Sequence, residues 1–164
     1  MSFDPESMLK GRMAESLVEE LLKQCSNKVY RFGYEAVLQN LTQLEEEFDR
    51  ESEVGQRISS IPDFIVVKKK KISLVEVKFR TKLPFYENDV KKLKMIEGLW
   101  QAKIILVTLT KPYFRVSNSP YFNKKGELNL IPLESDKDLG VTIDILKKFD
   151  ELVEKYFLKE KSKN

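Results

Sequence analysis

Residues 61–80 read IPDFIVVKKKKISLVEVKFR, and this stretch decides the fold. Two runs rich in β-branched residues flank four consecutive lysines, a pattern that predicts a β-hairpin of two buried strands. Neither run alternates regularly between apolar and polar residues, which indicates that both faces of the sheet are covered. Asp63, Glu76 and Lys78 interrupt these apolar runs. Because buried strands seldom contain such residues without a pairing or functional role, these three are the first candidates for a site.

The register of this hairpin brings the three charged residues together. If Lys69 and Lys70 form a two-residue turn, Asp63 lies directly opposite Glu76, and the Cβ atoms of such paired residues are about 5 Å apart. Lys78 follows Glu76 by two positions and therefore projects from the same face of the sheet. A Lys-Lys turn lacks the Asn-Gly chemistry that usually supports such turns, so a longer loop with a shifted register is the alternative.

Two carboxylates at this distance repel each other unless a cation lies between them. The sequence contains no histidine and one cysteine, which excludes Ser-His-Asp and Cys-His catalysis and zinc sites built from imidazole or several thiolates. A metal here must be a hard cation bound by carboxylates and carbonyls, which indicates Mg²⁺ or Mn²⁺. Phosphodiester cleavage uses such an ion, because it polarises a phosphoryl oxygen and lowers the pKa of a bound water. Lys78 would then orient the nucleophile or stabilise the developing charge.

Length and composition favour one globular domain. The 164 residues, 41% of them hydrophobic, suit a single core spanning residues 1–164. No apolar run approaches the roughly 20 residues that span a bilayer, and the acidic N-terminus is unlike a secretory signal. The single cysteine, Cys25, rules out an internal disulfide and fits a reducing compartment. We therefore expect an intracellular, cytoplasmic protein that does not contact a membrane.

The charged residues are segregated along the chain, although the net charge is only +3. Residues 35–57 carry seven acids against two arginines, whereas residues 68–94 carry ten basic residues against three acids. Such local asymmetry indicates a polyanionic partner near the second segment. The alternative is a lysine-rich surface that is simply solvated.

The remaining elements follow from local signals. Asp4 and Pro5 indicate the start of a helix whose apolar face runs to about Gln24. Gly98 is expected to end a helix over residues 85–98. The other expected elements are strands over 28–34, 103–109 and 127–133, a helix over 35–50, a loop over 51–60, an aromatic, turn-rich stretch over 112–122, a final amphipathic helix over 145–157 and a frayed tail over 159–164. This order predicts an α/β sandwich with a central mixed β-sheet flanked by helices.

The motif residues resemble a known superfamily. Pro62-Asp63, then twelve residues, then Glu76-Val77-Lys78 resembles the PD-(D/E)xK nucleases, which include restriction endonucleases and archaeal Holliday-junction resolvases. Residues 11–22, GRMAESLVEELL, are similar to the first helix of the resolvase type, whose glutamate completes the site. The resemblance covers about half of the chain, namely these residues, the stretch 61–110 and the helix and strand within it.

The resemblance implies a restriction-endonuclease-like fold and a role for each motif residue. Asp63 and Glu76 would bind the metal together with the carbonyl of Val77, Lys78 would be catalytic, and Glu15 would be a further or water-mediated ligand. It also implies DNA as the substrate and makes a homodimer an expectation. The chain departs from the resolvase pattern in two respects: it inserts an acidic helical segment at about 35–58, and its later helix lacks a glutamine-tyrosine pair.

These observations predict a Mg²⁺-dependent deoxyribonuclease. Because the chain has no separate domain to read sequence, we expect structure-dependent or weakly sequence-specific endonuclease activity. The lysines that follow the motif are expected to contact the substrate backbone, and those of the hairpin turn are expected to be solvated. The first group is Lys82, Lys91, Lys92 and Lys94, and the second is Lys68 to Lys71.

Three alternatives remain open from the sequence. Asp63, Glu76 and Lys78 could form a structural ion triad inside a buried hairpin. The chain could be a nucleic-acid-binding module of the same fold without turnover, in which case its binding would depend on salt and not on a chelator. It could also be a protein-interaction adaptor that works through the acidic residues 35–57 and the C-terminal helix.

Overall fold

A computed structural model describes residues 4–33, 49–83, 85 and 87–158. Its described strands form one six-stranded sheet in the order β1-β2-β3-β4-β5-β6. The strands are β1 (Lys28–Arg31), β2 (Phe64–Lys68), β3 (Lys71–Arg80), β4 (Lys103–Thr108), β5 (Phe114–Ser117) and β6 (Ile131–Pro132). The pair β3 and β4 is parallel and the other neighbours are antiparallel, so the predicted mixed sheet is confirmed.

Helices cover both faces of this sheet. They are α1 (Pro5–Gln24), α2 (Glu53–Ser59), α3 (Glu87–Trp100) and α4 (Ile143–Val153), with a 3₁₀ turn at Leu133–Ser135 and a π-helical turn at Glu154–Leu158. One face packs apolar residues of α1 and α4 against Val77 and Val107, and the other packs Leu93 and Ile96 of α3 against Ile104. The predicted α/β class, a central sheet flanked by helices, is confirmed. Along the described ranges, no helix is both long and apolar enough to cross a membrane.

The hairpin register is the predicted one. Lys68 pairs with Lys71, which leaves a two-residue turn. Lys69 has φ 46° and Lys70 has φ 70°, and two consecutive positive φ angles are the mark of a type I′ turn that matches the twist of the strands. The ladder ends where Phe64 pairs with Val75. The next residues outward on the two strands are the motif acids, so their predicted opposition follows directly from this register.

Two lysines of this turn region have structural partners, and the expectation of a purely solvated turn is wrong for them. Lys68 Nζ donates to the backbone oxygens of Cys25, Leu139 and Gly140 at 2.8, 3.2 and 3.1 Å. Lys71 Nζ lies 2.5 Å from a carboxylate oxygen of Asp138. The Lys68 ammonium therefore joins the end of α1 to the segment before α4, beside the buried Cys25.

Local boundaries differ from the sequence predictions at several points. The expected loop over 51–60 contains α2, because the Ser52 hydroxyl accepts a hydrogen bond from the Gly55 N–H at 3.0 Å and caps the helix. Gly98 does not end α3, which continues to Trp100 and reverses at Gln101, with φ 49°. A glycine inside a helix costs only about 1 kcal/mol, less than the packing of the apolar residues of α3 contributes.

The C-terminal half contains one strand that the sequence reading missed. The stretch over 112–122 was expected to be aromatic and turn-rich, but it includes β5. The strand expected over 127–133 lies at the sheet edge as predicted, and its ladder is only two residues long because Pro132 has no N–H to extend it. Residues 35–48 of the predicted helix over 35–50, most of the acidic insertion over 35–58 and the tail over 159–164 lie outside the described residues, and residues 49 and 50 are not helical.

Candidate active site

Asp63 is fixed by backbone contacts on both sides of the hairpin. Its carbonyl oxygen accepts hydrogen bonds from the N–H groups of Phe32 and Gly33 at 2.8 and 3.2 Å. Its side-chain Oδ2 accepts the N–H of Val77 at 2.7 Å. The first contacts tie Asp63 to the end of β1, and the last one ties its carboxyl group to the middle of β3. Asp63 is therefore held against β3 one residue beyond the paired part of β2.

An aromatic contact holds the chain on both sides of Asp63. The indole N–H of Trp100, at the end of α3, donates to Ser60 Oγ at 3.2 Å. The same ring meets Phe32 edge-on, with centroids 5.8 Å apart and an interplanar angle of 86°. Ser60 precedes Asp63 by three residues, and the Phe32 N–H donates to the Asp63 carbonyl. The sequence reading gave Trp100 no such role, because the contact joins residues that are distant along the chain.

Glu76 and Lys78 lie two residues apart on β3 and form an ion pair on the sheet face that α3 covers. Glu76 is only 5% exposed. Burial disfavours the charged form of Lys78, but the adjacent carboxylate of Glu76 outweighs it and, with a smaller effect of Asp63, raises the pKa of Lys78 above its usual value. Lys78 is therefore a fully charged ammonium that Glu76 holds inside the site.

The Asp63 carboxyl group is the member of this cluster whose ionised form is disfavoured. Burial, followed by the negative charges of Glu76 and Glu15, raises its pKa to about 8, although Lys78 and the Val77 N–H oppose the shift. These surroundings therefore favour the protonated form of Asp63. The four residues predicted to be catalytic thus lie within electrostatic range of one another, with Glu15 supplied by α1 and the rest by the hairpin.

The donor chemistry of this cluster fits a hard divalent cation. The N–H and C=O of one strand residue point to the same side, so the Val77 carbonyl faces the strand edge where its N–H meets Asp63. Two carboxylates and one carbonyl are oxygen donors of the kind Mg²⁺ accepts, and Mg²⁺ keeps several waters when one or two carboxylates hold it. Among the described residues, no three acidic, histidine or cysteine side chains converge closely enough to enclose an ion. The arrangement suits a partly hydrated ion rather than a closed cage.

The four lysines expected to contact substrate do not share one environment. Lys82, Lys91 and Lys94 are exposed, and the Lys94 ammonium lies 5.8 Å from the centre of the Phe122 ring. Lys92 is also accessible along α3, but repulsion from Lys78 lowers its pKa, and burial adds to that effect against the opposing influence of Glu76. The Lys92 ammonium is therefore within electrostatic range of the motif residues, whereas the sequence reading grouped it with the outer lysines.

Two further charged residues border the site, and the sequence reading missed both. Arg80, two positions after Lys78 on β3, forms a two-pronged ion pair with Asp89 of α3. The spacing of Arg80 from Lys78 was a usable signal, because it places both cations on one strand face. Asp89 gave only the signal of an acid in the first turn of a helix, which usually means no more than a favourable interaction with the helix dipole.

Comparison with known proteins shows a loose likeness to solved structures. No family model matches the chain, and no curated protein matches it. Among solved structures, the chain is similar to Hjc, a Holliday junction resolvase from the archaeal hyperthermophile Archaeoglobus fulgidus. The match has 22% sequence identity, covers 84% of this chain and 98% of Hjc, and has a TM-score of 0.42. A likeness this loose decides nothing about activity, which has to be argued from the site residues.

Proposed function

We propose that this protein is a metal-dependent nuclease that hydrolyses phosphodiester bonds of DNA. One observation carries the proposal: Asp63 is directed by the Val77 N–H onto a buried Glu76–Lys78 pair, in surroundings that disfavour its ionised form. Such an arrangement costs stability unless a cation relieves it, and perturbed carboxyl groups beside a cleft are typical of catalytic sites.

Each residue has a distinct task in this proposal. Asp63 and Glu76, with the Val77 carbonyl, would hold Mg²⁺ or Mn²⁺, and Glu15 would act as a further or water-mediated ligand. When bound, the ion supplies a water of lowered pKa and a positive charge on a phosphoryl oxygen. Asp63 would hold the ion as a carboxylate, having released its proton to solvent, because metal ligands must be deprotonated. Lys78, kept charged by Glu76, stabilises the negative charge that develops during in-line attack.

In this proposal the DNA reaches the site from the side on which the lysines after the motif lie. Lys92 would add a second positive charge beside Lys78, and the exposed Lys82, Lys91 and Lys94 would contact the phosphate backbone farther out. Contacts of this kind carry affinity and no base preference, which agrees with structure-dependent or weakly sequence-specific cleavage.

The direct test is a cleavage assay on labelled linear duplex, four-way-junction and single-stranded DNA, with Mg²⁺, Mn²⁺ or a chelator. We expect cleavage with either metal, none with the chelator, and none by the Asp63→Asn protein. Asp144→Asn is the matched control, because it removes the same charge from an exposed position in the first turn of α4. It should cleave as the wild type does.

The same assay separates the alternatives. DNA binding that a chelator does not change, without cleavage under any metal, would identify a non-catalytic binding module. No DNA binding at moderate salt would favour a protein adaptor. Cleavage of RNA but not of DNA would keep the metal site and overturn the choice of substrate.

A further inference from the structure

A cleft continues from the candidate site along the C-terminal half of β3. It has a volume of about 440 Å³, within the roughly 300–1,000 Å³ typical of small-ligand sites. Its walls include Glu15, Val77 and Lys78, so it opens directly into the site. Beyond these residues it is lined by Ser7, Gly11, Phe79, Arg80, Thr81 and Asp89.

One wall of the cleft is a single stripe of α1. Ser7, Gly11 and Glu15 are spaced four residues apart and therefore lie on one helix face. A Cβ atom added at Gly11 would meet no heavy atom of the described residues within 4 Å, so among them the wall is open at its middle. Glycine inside a helix costs about 0.5–1 kcal/mol relative to alanine. Gly11 thus weakens α1 slightly and leaves space directly above the strand.

The opposite wall carries Arg80, which forms an ion pair with Asp89 of the same chain. Arg80 presents Nε and Nη2 to the two carboxylate oxygens of Asp89, with the Nε–Oδ2 distance at 3.3 Å. The side chains are 31% and 21% exposed, so both groups reach the cleft. The planar fork of an arginine binds a phosphate with the same two-pronged geometry as a carboxylate. Asp89 therefore occupies the position on Arg80 that a phosphate oxygen pair would take.

The two cations of β3 pair with different carboxylates. Lys78 contacts Glu76 and Arg80 contacts Asp89, so the two side chains mark two separate anion-binding positions. Lys78 belongs to the proposed catalytic cluster, so we expect Arg80 to contact the next phosphate along the DNA strand. Phe85 supports the Arg80 guanidinium from its face, at 5.6 Å from the ring centre.

We propose that this cleft binds the nucleotide adjoining the scissile bond, with its phosphate on Arg80 in place of Asp89 and its sugar in the space above Gly11. The inference rests on the proposed nuclease function and adds a substrate subsite to it. Asp89 then acts as a counter-ion that holds Arg80 in position when the cleft is empty. It also lowers affinity for DNA, because the incoming phosphate must displace it.

The first experiment fills the cleft without touching a charged group. Gly11→Met places a side chain in open space in the middle of α1, so the melting temperature should be unchanged or slightly higher. Gly98→Met is the matched control, because a Cβ at Gly98 in α3 also meets no heavy atom within 4 Å in the described part of the chain, and the residue is exposed. We expect the dissociation constant of a labelled DNA duplex with a single-stranded overhang, measured by anisotropy in chelator, to rise at least tenfold for Gly11→Met and to stay unchanged for Gly98→Met.

The second experiment tests the counter-ion. Asp89→Asn should tighten DNA binding about threefold to tenfold, whereas Arg80→Gln should weaken it and reduce the slope of log affinity against log salt by about one. The exposed pair Arg57–Glu53 in α2 supplies charge-matched controls. Arg57→Gln and Glu53→Gln remove the same charges away from the cleft and should change affinity less than twofold.

The outcomes separate this inference from the function on which it rests. Wild-type protein that binds and cleaves DNA, together with a Gly11→Met protein that binds as the wild type does, would overturn the subsite and leave the nuclease intact. Tighter binding by Glu53→Gln equal to that of Asp89→Asn would also overturn it, because net charge alone would then explain the gain. Wild-type protein that neither binds nor cleaves DNA would overturn the proposed function itself.

Discussion

Asp136 and Asp63 are both shielded from solvent, and their pKa values are shifted in opposite directions. Asp136, after the 3₁₀ turn, is 4% exposed, and its pKa is lowered because hydrogen bonds from Lys103, the Leu139 N–H and Asn118 outweigh the effect of burial. Asp63 is more accessible, yet its pKa is raised to about 8 by burial and by two neighbouring carboxylates. Burial raises the pKa of both carboxyl groups, and only at Asp136 do the partners outweigh it.

The contrast shows what a structural charge network looks like in this fold. Lys103 Nζ contacts Asp136 Oδ2 at 2.8 Å and Asp138 Oδ2 at 3.1 Å, and Asn118 Nδ2 donates to the same Asp136 oxygen at 3.0 Å. The other Asp136 oxygen accepts the N–H groups of Asp138 and Leu139. Every oxygen of Asp136 is satisfied within the protein. Asp63 has the like charges of Glu76 and Glu15 nearby instead, a repulsion that a bound cation would relieve.

The largest expected effect is on catalysis at Lys78. The Lys78→Ala protein should lose cleavage by a factor of about 10²–10³ or more, because a charge that acts mainly in the transition state is removed. DNA binding, measured by anisotropy, should change much less. If binding and cleavage fell equally, Lys78 would be an ordinary phosphate contact. The charges around Asp63 would then have no more part in catalysis than the Asp136 network.

The second expected effect is on stability at Lys103. Replacing it by methionine leaves Asp136 buried without its cation, which should reduce the free energy of unfolding by about 3–5 kcal/mol, measured by urea denaturation at neutral pH. At a temperature where the variant is folded, its cleavage rate should match that of the wild type. A loss of cleavage in the fully folded variant would show that the Asp136 network supports the chemistry after all.

The third effect concerns Asp63 in the metal-free protein. Its folded pKa of about 8 lies above its unfolded value near 3.8. Between these two pH values the folded chain keeps a proton that the unfolded chain releases, so this group makes the protein less stable as pH rises. Asparagine still accepts the Val77 N–H and cannot ionise. Asp63→Asn should therefore raise the melting temperature in chelator by a few degrees at pH 8 and by little at pH 4.

Added metal should reverse the order of the melting temperatures of the wild type and the Asp63→Asn protein. Added Mg²⁺ or Mn²⁺ should raise the melting temperature of the wild type by mass action and leave that of Asp63→Asn unchanged. An equal metal response in both proteins would remove Asp63 from the ligand set. A wild-type stability independent of pH in chelator would show that the two aspartates do not differ as described.

The smallest effect separates two adjacent lysines. Lys91 and Lys92 are both exposed on α3, and the charges of the motif residues shift the pKa of Lys92. We expect Lys92→Gln to lower the single-turnover cleavage rate at saturating DNA several-fold, and Lys91→Gln to change only the salt dependence of binding. The matched pair keeps net charge equal. Identical behaviour of the two variants would return Lys92 to the group of outer phosphate contacts.

The sequence predicted the hairpin and the motif residues because their information is local. Four lysines between two apolar runs are compatible with a two-residue turn. Once Lys68 pairs with Lys71, the register of the two strands places Asp63 opposite Glu76. The structure confirms this register although the turn lacks glycine and asparagine. Sheet twist and strand packing outweigh the cost of placing two lysines at positive φ.

Other parts of the site depend on packing that no local pattern records. The Arg80–Asp89 pair and the position of Lys92 both follow from how α3 lies across β3. The missed strand β5 is four residues long and is defined by its neighbours rather than by its own periodicity. Helix α2 depends on one cap, Ser52, within a stretch of mixed polarity. Such features become visible only when distant elements meet.

The contact of Lys68 with the Cys25 carbonyl has a practical consequence. The chain contains a single cysteine, and its thiol is buried where α1, the hairpin and the segment before α4 come together. A thiol reagent reaches it only when that junction opens. The rate at which unmodified protein reacts with such a reagent is therefore a built-in kinetic readout of local opening, obtained without an introduced label.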